Sequence, residues 1–141
     1  RIPTGELQPV EGTQFDFRTS KTFADRIRGT SDPQLLQERG FDHTYVLVDR
    51  ANELQFAARV QDDTSGRSLT ILTTEPGLQL YSGALLEEAA GRPPDVIRQS
   101  TGFCMEPQRF PDAPNRPDFP SARLDPGDTC RQVSVYQLKT T

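Results

Sequence analysis

Apolar residues at every second position, in two neighbouring stretches, constrain this chain more than any other feature. Leu54, Phe56, Ala58 and Val60 form the first stretch, and Leu69, Ile71 and then Thr73 the second. Strand side chains point alternately to opposite faces, so a period of two specifies a half-buried strand rather than a helix. Between the stretches lies Asp62-Asp63-Thr64-Ser65-Gly66-Arg67, a run of turn formers. Together they predict a β-hairpin with a longer loop. Further strands are predicted from Leu78 to Ser82, after the Pro76-Gly77 turn, and from Cys130 to Leu138, where Val133 and Val135 share a face and Tyr136 takes the other. Helical signals are short. Asp32-Pro33 suits the cap and first turn of a helix running through Leu35, Leu36 and Glu38 and stopped by Gly40. Residues 21–28 offer a turn or two more.

From Pro93 to Pro126 the chain carries Pro93, Pro94, Pro107, Pro111, Pro114, Pro117, Pro120 and Pro126, with Phe103, Met105, Phe110 and Phe119 spaced among them. Proline alone suggests disorder. Aromatics at intervals instead suit an ordered, irregular loop packed on a sheet, and long loops in compact domains are often functional.

Composition excludes several function classes. Sixteen Lys and Arg against twenty Asp and Glu leave a net charge of −4, with no basic footprint for nucleic acid and no attraction to an anionic membrane. No apolar run approaches the roughly 20 residues that span a bilayer. Apolar residues make up 33%, and the ten glycines do not raise that to the roughly 45–50% usual for a self-contained domain. The chain begins at Arg1, and Ile2-Pro3-Thr4 is not the apolar core of a signal peptide. The expectation is therefore a cytoplasmic protein represented without its N-terminal portion. Cys104 and Cys130 are expected as two free, mostly buried thiols in a reducing compartment. A single histidine rules out any site built on two histidines from this chain alone.

No nucleophile elbow, phosphate-binding glycine loop or Cys-x-x-Cys pair is present. Asp42-His43 is the one carboxylate–imidazole neighbourhood, and adjacent strand residues face opposite ways, so the two need not act together. Three clusters remain: Gly40 to Tyr45, Thr73 to Tyr81, and Gly102 to Asp112. Each sets carboxylate, amide or aromatic groups beside turn formers. Sugars are read by such groups, hydroxyls by hydrogen-bonding forks and C–H faces by rings.

The order and wording of these clusters resemble the aldose 1-epimerase (galactose mutarotase) family. PVEGTQFDFR at 9–18 is similar to the family's PV-x-GTPFDFR segment, with Gln14 in place of proline. GFDHTY at 40–45 resembles G-[YF]-DH-x-[FY]. SGR at 65–67 and TTEPGLQLYSG at 73–83 look like the family's turn and TT-x-PG-x-Q strand. GFCMEPQRFPDAPNRPDFPS at 102–121 resembles GFC-[LM]-ETQ-x-[FY]-PD-[AS]-[PV]-N-x-P-x-FPS, and LDPGDTCRQVSVYQL resembles the family's closing strand. The resemblance covers essentially all of residues 1–141.

It implies an all-β fold, the C-terminal part of a galactose-mutarotase-like β-supersandwich of antiparallel sheets, with residues 1–141 forming the C-terminal portion of a single domain. It implies an isomerase of hexose metabolism that interconverts the α and β anomers of aldohexoses such as glucose and galactose, without a cofactor or metal. A base takes the proton of the anomeric hydroxyl while an acid protonates the ring oxygen. The ring then opens, and closes on either face. The family's base maps onto Glu106, which would need partial burial, against Phe103 and Phe110, to raise its pKa. Asp42 and Gln79 map onto sugar-hydroxyl ligands, and Gln108 joins them as a candidate. The family's acid is a histidine of an upstream segment absent here; His43 does not align with it and reads as a structural hydrogen-bonding residue. Pro107 and Arg109 depart from the usual threonine and histidine of the Glu106 segment.

Each assignment has a plainer alternative. For Glu106 it is a surface or salt-bridged carboxylate, for Asp42 a turn cap and for Gln79 a buried amide, while Tyr81 and Phe103 read first as core and Arg109 as a solvated loop charge. The expected partner is an aldohexose, with neither nucleic acid nor membrane. Competing functions are a sugar-phosphate mutarotase, hinted at only by Arg109, and a non-catalytic carbohydrate-binding or regulatory module of the same fold. A third reading is a piece inactive by itself, which associates with its N-terminal half or with itself through exposed strand edges.

Overall fold

A computed structural model describes residues 2–47, 53–86, 89–90 and 96–140. Pro93 and Pro94 of the proline-rich segment lie outside them. In chain order the elements are helix α1 (Phe23–Ile27), helix α2 (Pro33–Glu38) and strands β1 (Asp42–Val46), β2 (Gln55–Gln61), β3 (Arg67–Thr73) and β4 (Gly77–Tyr81). Strands β5 (Ala89–Ala90), β6 (Val96–Ile97) and β7 (Cys104–Gln108), a 3-10 turn (Ala113–Asn115) and β8 (Ser134–Thr140) follow. Among the described residues the strands form a sheet in the order β1-β4-β7, another in the order β2-β3-β8, and the small pair β5-β6. The protein is all-β, with the antiparallel pairing expected: β2 with β3, β3 with β8, and β5 with β6.

The chain divides into two compact units. One comprises Arg1–Gly5, Thr44–Leu78 and Glu106–Thr141, and the other Glu6–His43 and Gln79–Met105. In the first, the predicted hairpin forms with Val60 opposite Leu69 and Gln55 opposite Thr73. Its loop is closed by the Asp62 N–H donating to the Arg67 carbonyl at 2.9 Å, and by the Gly66 N–H donating back to the Asp62 carbonyl at 2.8 Å. Gly66 sits at φ +69°, a left-handed geometry that glycine adopts without steric cost. The Asp62 carboxylate collects the N–H groups of Thr64 and Ser65, each at 3.2 Å, which is the local capping that makes aspartate a turn former.

Strand β8 is shorter than expected, starting at Ser134 rather than Cys130. The reason lies at the end of β3, where Thr73 pairs with Ser134. Beyond it, the Thr74 N–H donates to the Val133 carbonyl and the Thr74 hydroxyl accepts the Val133 N–H, both at 3.0 Å. The chain then turns at Pro76, and among the described residues no strand pairs with residues 130–132. Among the described residues of this unit Ile71, Leu78, Phe110 and Ala113 are buried and apolar, joined by Thr73, whose hydroxyl is paired with Ser134 at 2.9 Å.

In the second unit, α2 starts and stops where the sequence indicates. The Asp32 carboxylate caps the N–H groups of Gln34 (2.9 Å) and Leu35 (3.2 Å), Pro33 occupies the first turn, and the Gly40 N–H closes the C-terminus on the Leu35 carbonyl at 3.0 Å. Leu35, Phe41, Leu80 and Ala84 are buried. Around Phe41, Phe15 and Phe17 meet its ring edge-on, at 5.7 Å and 5.3 Å. Phe23 lies 6.0 Å from Phe41 and 5.3 Å from Phe103.

Strand β7 is not evident from the sequence, and of β1 only the neighbours Asp42 and His43 read as strand residues. Pro107 lies inside β7, and proline ordinarily argues against a strand because it cannot donate to the ladder. β7 ends the order β1-β4-β7, and such an edge tolerates the missing donor. Cys104 and Cys130 are free thiols, as expected, but both are exposed rather than buried. Cys104 opens the edge strand β7, and Cys130 precedes β8. No helix of the described residues is long and apolar enough to cross a membrane.

Candidate functional site

Asp42 and Gln79 are brought together. Asp42 opens β1 and Gln79 is central in β4, and the Gln79 side-chain amide donates to Asp42 Oδ1 at 2.7 Å. Both are half-buried, and their segments are tied by the Ser82 N–H donating to the Phe41 carbonyl and the Phe41 N–H donating to Ser82 Oγ, each at 2.9 Å. The pair sets an amide donor beside a carboxylate acceptor on neighbouring strands. Such a fork matches the donor and acceptor character of neighbouring sugar hydroxyls.

Asp42 has a second tether that its sequence position does not suggest. Its backbone N–H donates to Nδ1 of His43 at 3.0 Å, and the imidazole meets the Phe15 ring edge-on at 4.7 Å. An accepting Nδ1 carries no proton, so the neutral ring holds its proton on Nε2. Burial pushes the His43 pKa below the ordinary imidazole value, against the opposing pull of Asp42, Glu38 and Asp32. The two residues are joined through the Asp42 backbone rather than through its carboxylate.

Glu106 and Gln108 lie two apart on β7 and so share a face of the strand. Gln108 is half-buried. Glu106 is exposed, which corrects the expectation of partial burial between Phe103 and Phe110. The Phe103 ring is engaged by Phe23, and the Phe110 ring packs edge-on against Phe119 at 5.2 Å, so each is committed elsewhere. Tyr81 likewise has a local role, its hydroxyl accepting the Leu85 N–H at 2.9 Å.

The end of β7 is seated on the turn before β4. Arg109 Nε lies 3.5 Å from the buried Glu75 carboxylate, an ion pair between two sequence-distant segments. Arg109 is thus not the freely solvated loop charge of the plainer reading. At Gly77, a Cβ would stand 3.0 Å from the Phe110 ring, 3.0 Å from Thr44 Cγ2 and 3.1 Å from the Gln108 carbonyl oxygen, so a side chain there would make its neighbours give by a few tenths of an ångström. Neither contact has a sequence signature: the Glu75–Arg109 pair depends on which distant segments the fold sets side by side, and the His43–Asp42 contact on the rotamer the imidazole takes beside its own neighbour. Among the described residues, no group of three or more His, Cys, Asp or Glu side chains is arranged to hold a metal ion.

The fold defines an all-β, antiparallel protein, and comparisons with known proteins specify which kind. The sequence profile of aldose 1-epimerase matches residues 1–137. Galactose mutarotase of Sus scrofa is 41% identical over 136 residues, covering 96% of this chain and 38% of the relative. The human galactose mutarotase is 41% identical over 138 residues, and the aldose 1-epimerase of Escherichia coli K12 is 32% identical over 139. A solved structure of an aldose epimerase homologue from C. elegans superposes with a TM-score of 0.82 at 27% identity, covering 99% of this chain and 40% of that one. The chain belongs to the aldose 1-epimerase family. It spans about two-fifths of the length of the curated relatives it matches.

Proposed function

We propose that this chain carries the base and part of the sugar-binding surface of an aldose 1-epimerase acting on aldohexoses such as glucose and galactose. The observation that supports it best is the Asp42–Gln79 pair at 2.7 Å, a preformed hydrogen-bonding fork built from two motifs of the family. In this reading Asp42 and Gln79 hold sugar hydroxyls, and Gln108 contributes a further amide from β7. Glu106, exposed on the same strand face as Gln108, removes the proton of the anomeric hydroxyl as the C1–ring-oxygen bond breaks. A general acid supplied from outside these residues protonates the ring oxygen. The open-chain aldehyde rotates about C1–C2, the hydroxyl formed from the ring oxygen re-adds to either face as its proton returns to that acid, and Glu106 returns its proton to the new anomeric oxygen. Nothing is oxidised or reduced, and the atoms balance between α and β anomers.

Polarimetry of the full open reading frame encoding these residues, started from pure α-D-glucose or α-D-galactose, tests the reaction. Glu106→Gln is expected to lower kcat by roughly 10²–10⁴-fold, the worth of a positioned base. Full activity in that variant would exclude Glu106 as the base. Asp42→Ala is expected to act mainly on KM.

A sugar-phosphate substrate is disfavoured by the pairing of Arg109 with Glu75, which engages the one cation that hinted at a phosphate site. A carbohydrate-binding module without catalysis would bind aldohexoses and leave the rate of mutarotation unchanged. We further propose a cytoplasmic setting, consistent with the exposed free thiols.

A further inference from the structure

We propose that His43 is a positioning residue for the Asp42–Gln79 pair, clamped in that role by Phe15; this rests on the reading of Asp42 and Gln79 as sugar ligands. The proposal stands on three contacts within one compact unit. The Gln79 amide fixes the Asp42 carboxylate from the side chain, at 2.7 Å to Oδ1. His43 Nδ1 fixes the same residue from the backbone, accepting its N–H at 3.0 Å. Phe15 fixes the imidazole, its ring 4.7 Å away at an interplanar angle of 66°.

Each contact leaves the next with less freedom. A half-buried carboxylate held by one amide alone can still swing about its Cα–Cβ bond and rock with its backbone. Anchoring the peptide N–H removes the second motion, and ligands held in advance lose less entropy on binding. Phe15 is itself placed by the segment that carries it. The Phe15 N–H donates to Thr13 Oγ1 at 3.1 Å, Thr13 Oγ1 donates to the Val10 carbonyl at 2.6 Å, and the Phe15 ring packs edge-on against the fully buried Phe41. The GTQFDFR segment, which holds none of the proposed sugar ligands, thereby gains a role. It supplies the ring that sets the orientation of the histidine beside Asp42.

Two substitutions separate this role from general structural support. In His43→Asn, the carboxamide oxygen occupies the place of Nδ1 and can still accept the Asp42 N–H. In His43→Gln, the carboxamide is carried to the place of Nε2, and the acceptor at Nδ1 is lost. Both are made in the full open reading frame, and thermal melting identifies the folded variants. Amide hydrogen exchange followed by NMR is expected to show the Asp42 N–H exchanging roughly five- to tenfold faster in His43→Gln, the worth of one hydrogen bond, and near the wild-type rate in His43→Asn. In mutarotation of α-D-glucose, KM is expected to rise by a similar factor in His43→Gln with kcat within about twofold, and to be restored in His43→Asn. A merely structural role would instead lower kcat in proportion to the folded fraction and leave KM unmoved. Unchanged Asp42 exchange in His43→Gln overturns the proposal, as does an Asn variant no better than Gln. A wild-type protein that exchanges as expected but neither binds nor turns over glucose overturns the sugar reading and not the tether, since the exchange measurement is made without sugar.

Discussion

At the scale of single residues, the arrangement is governed by which polar groups water has been taken from. His43 is the clearest case. Burial favours its neutral form, so its pKa in the folded chain lies below the ordinary value of 6.5. Between those two values the unfolded chain binds more protons than the folded one. The contribution of His43 to stability is therefore complete above pH 6.5 and is lost as the pH falls through the lowered value. Melting temperatures measured from about pH 7.5 down to about pH 5 should fall for the wild type, and the fall should be smaller in His43→Asn, which has no proton to gain. An identical pH dependence in the two proteins would place the titrating group elsewhere. Asp42, Gln79 and Glu106 were legible as candidates from their motifs alone. The exposure of Glu106 was not, because burial depends on what covers β7, and the phenylalanines nearest to Glu106 in sequence are turned toward other rings.

Elements are decided by local signals where these are strong and by neighbours where they are weak. Helix α2 belongs to the first kind. Asp32 accepts two of the N–H groups that every helix start leaves without intrahelical partners. Asp32→Ala should destabilise the fold by about 0.5–2 kcal/mol in urea unfolding, whereas Asp32→Asn or Asp32→Ser should recover most of that loss. Strand β7 belongs to the second kind, since its proline and its polar residues describe a loop until the strand is placed at a sheet edge. Its C-terminal end depends on the turn at Glu75-Pro76-Gly77. Arg109→Ala would leave the buried Glu75 carboxylate without the cation 3.5 Å away and is expected to cost about 1–3 kcal/mol. Neutralising the carboxylate in the double variant Glu75→Gln/Arg109→Ala should return most of that cost. A double variant as unstable as the sum of the two single ones would show that the pair is not coupled.

For the whole molecule, the consequential feature is apolar surface on the β2-β3-β8 sheet. Pairing places Leu138 beside Leu69 and Tyr136 beside Ile71, so these side chains share a face of the sheet. Leu138 is 80% exposed and Tyr136 53% exposed, and β8 is an edge strand of the sheet. Edge strands with exposed apolar side chains tend to pair with other chains. The 141-residue chain by itself is expected to associate, its apparent mass in size-exclusion chromatography rising with concentration. Leu138→Lys should shift it toward the monomer. A single monomeric peak at every concentration tested would contradict this expectation and the reading of the face as one that needs covering.

The sequence by itself determined the hairpin of β2 and β3, the limits of α2, the strand at β4 and the family. Each of these rests on residues close together in the chain: alternating side chains, a cap three positions from the group it satisfies, a motif read in order. Only the tertiary structure decided that β7 is a strand, that β8 begins at Ser134, that Glu106 is exposed, that His43 meets the Phe15 ring and that Arg109 meets Glu75. Every one of these depends on a contact between segments distant in sequence, or on what covers a surface. Local propensity carries no information about such contacts, because their partners are chosen by packing and hydrogen bonding only once the sheets are assembled.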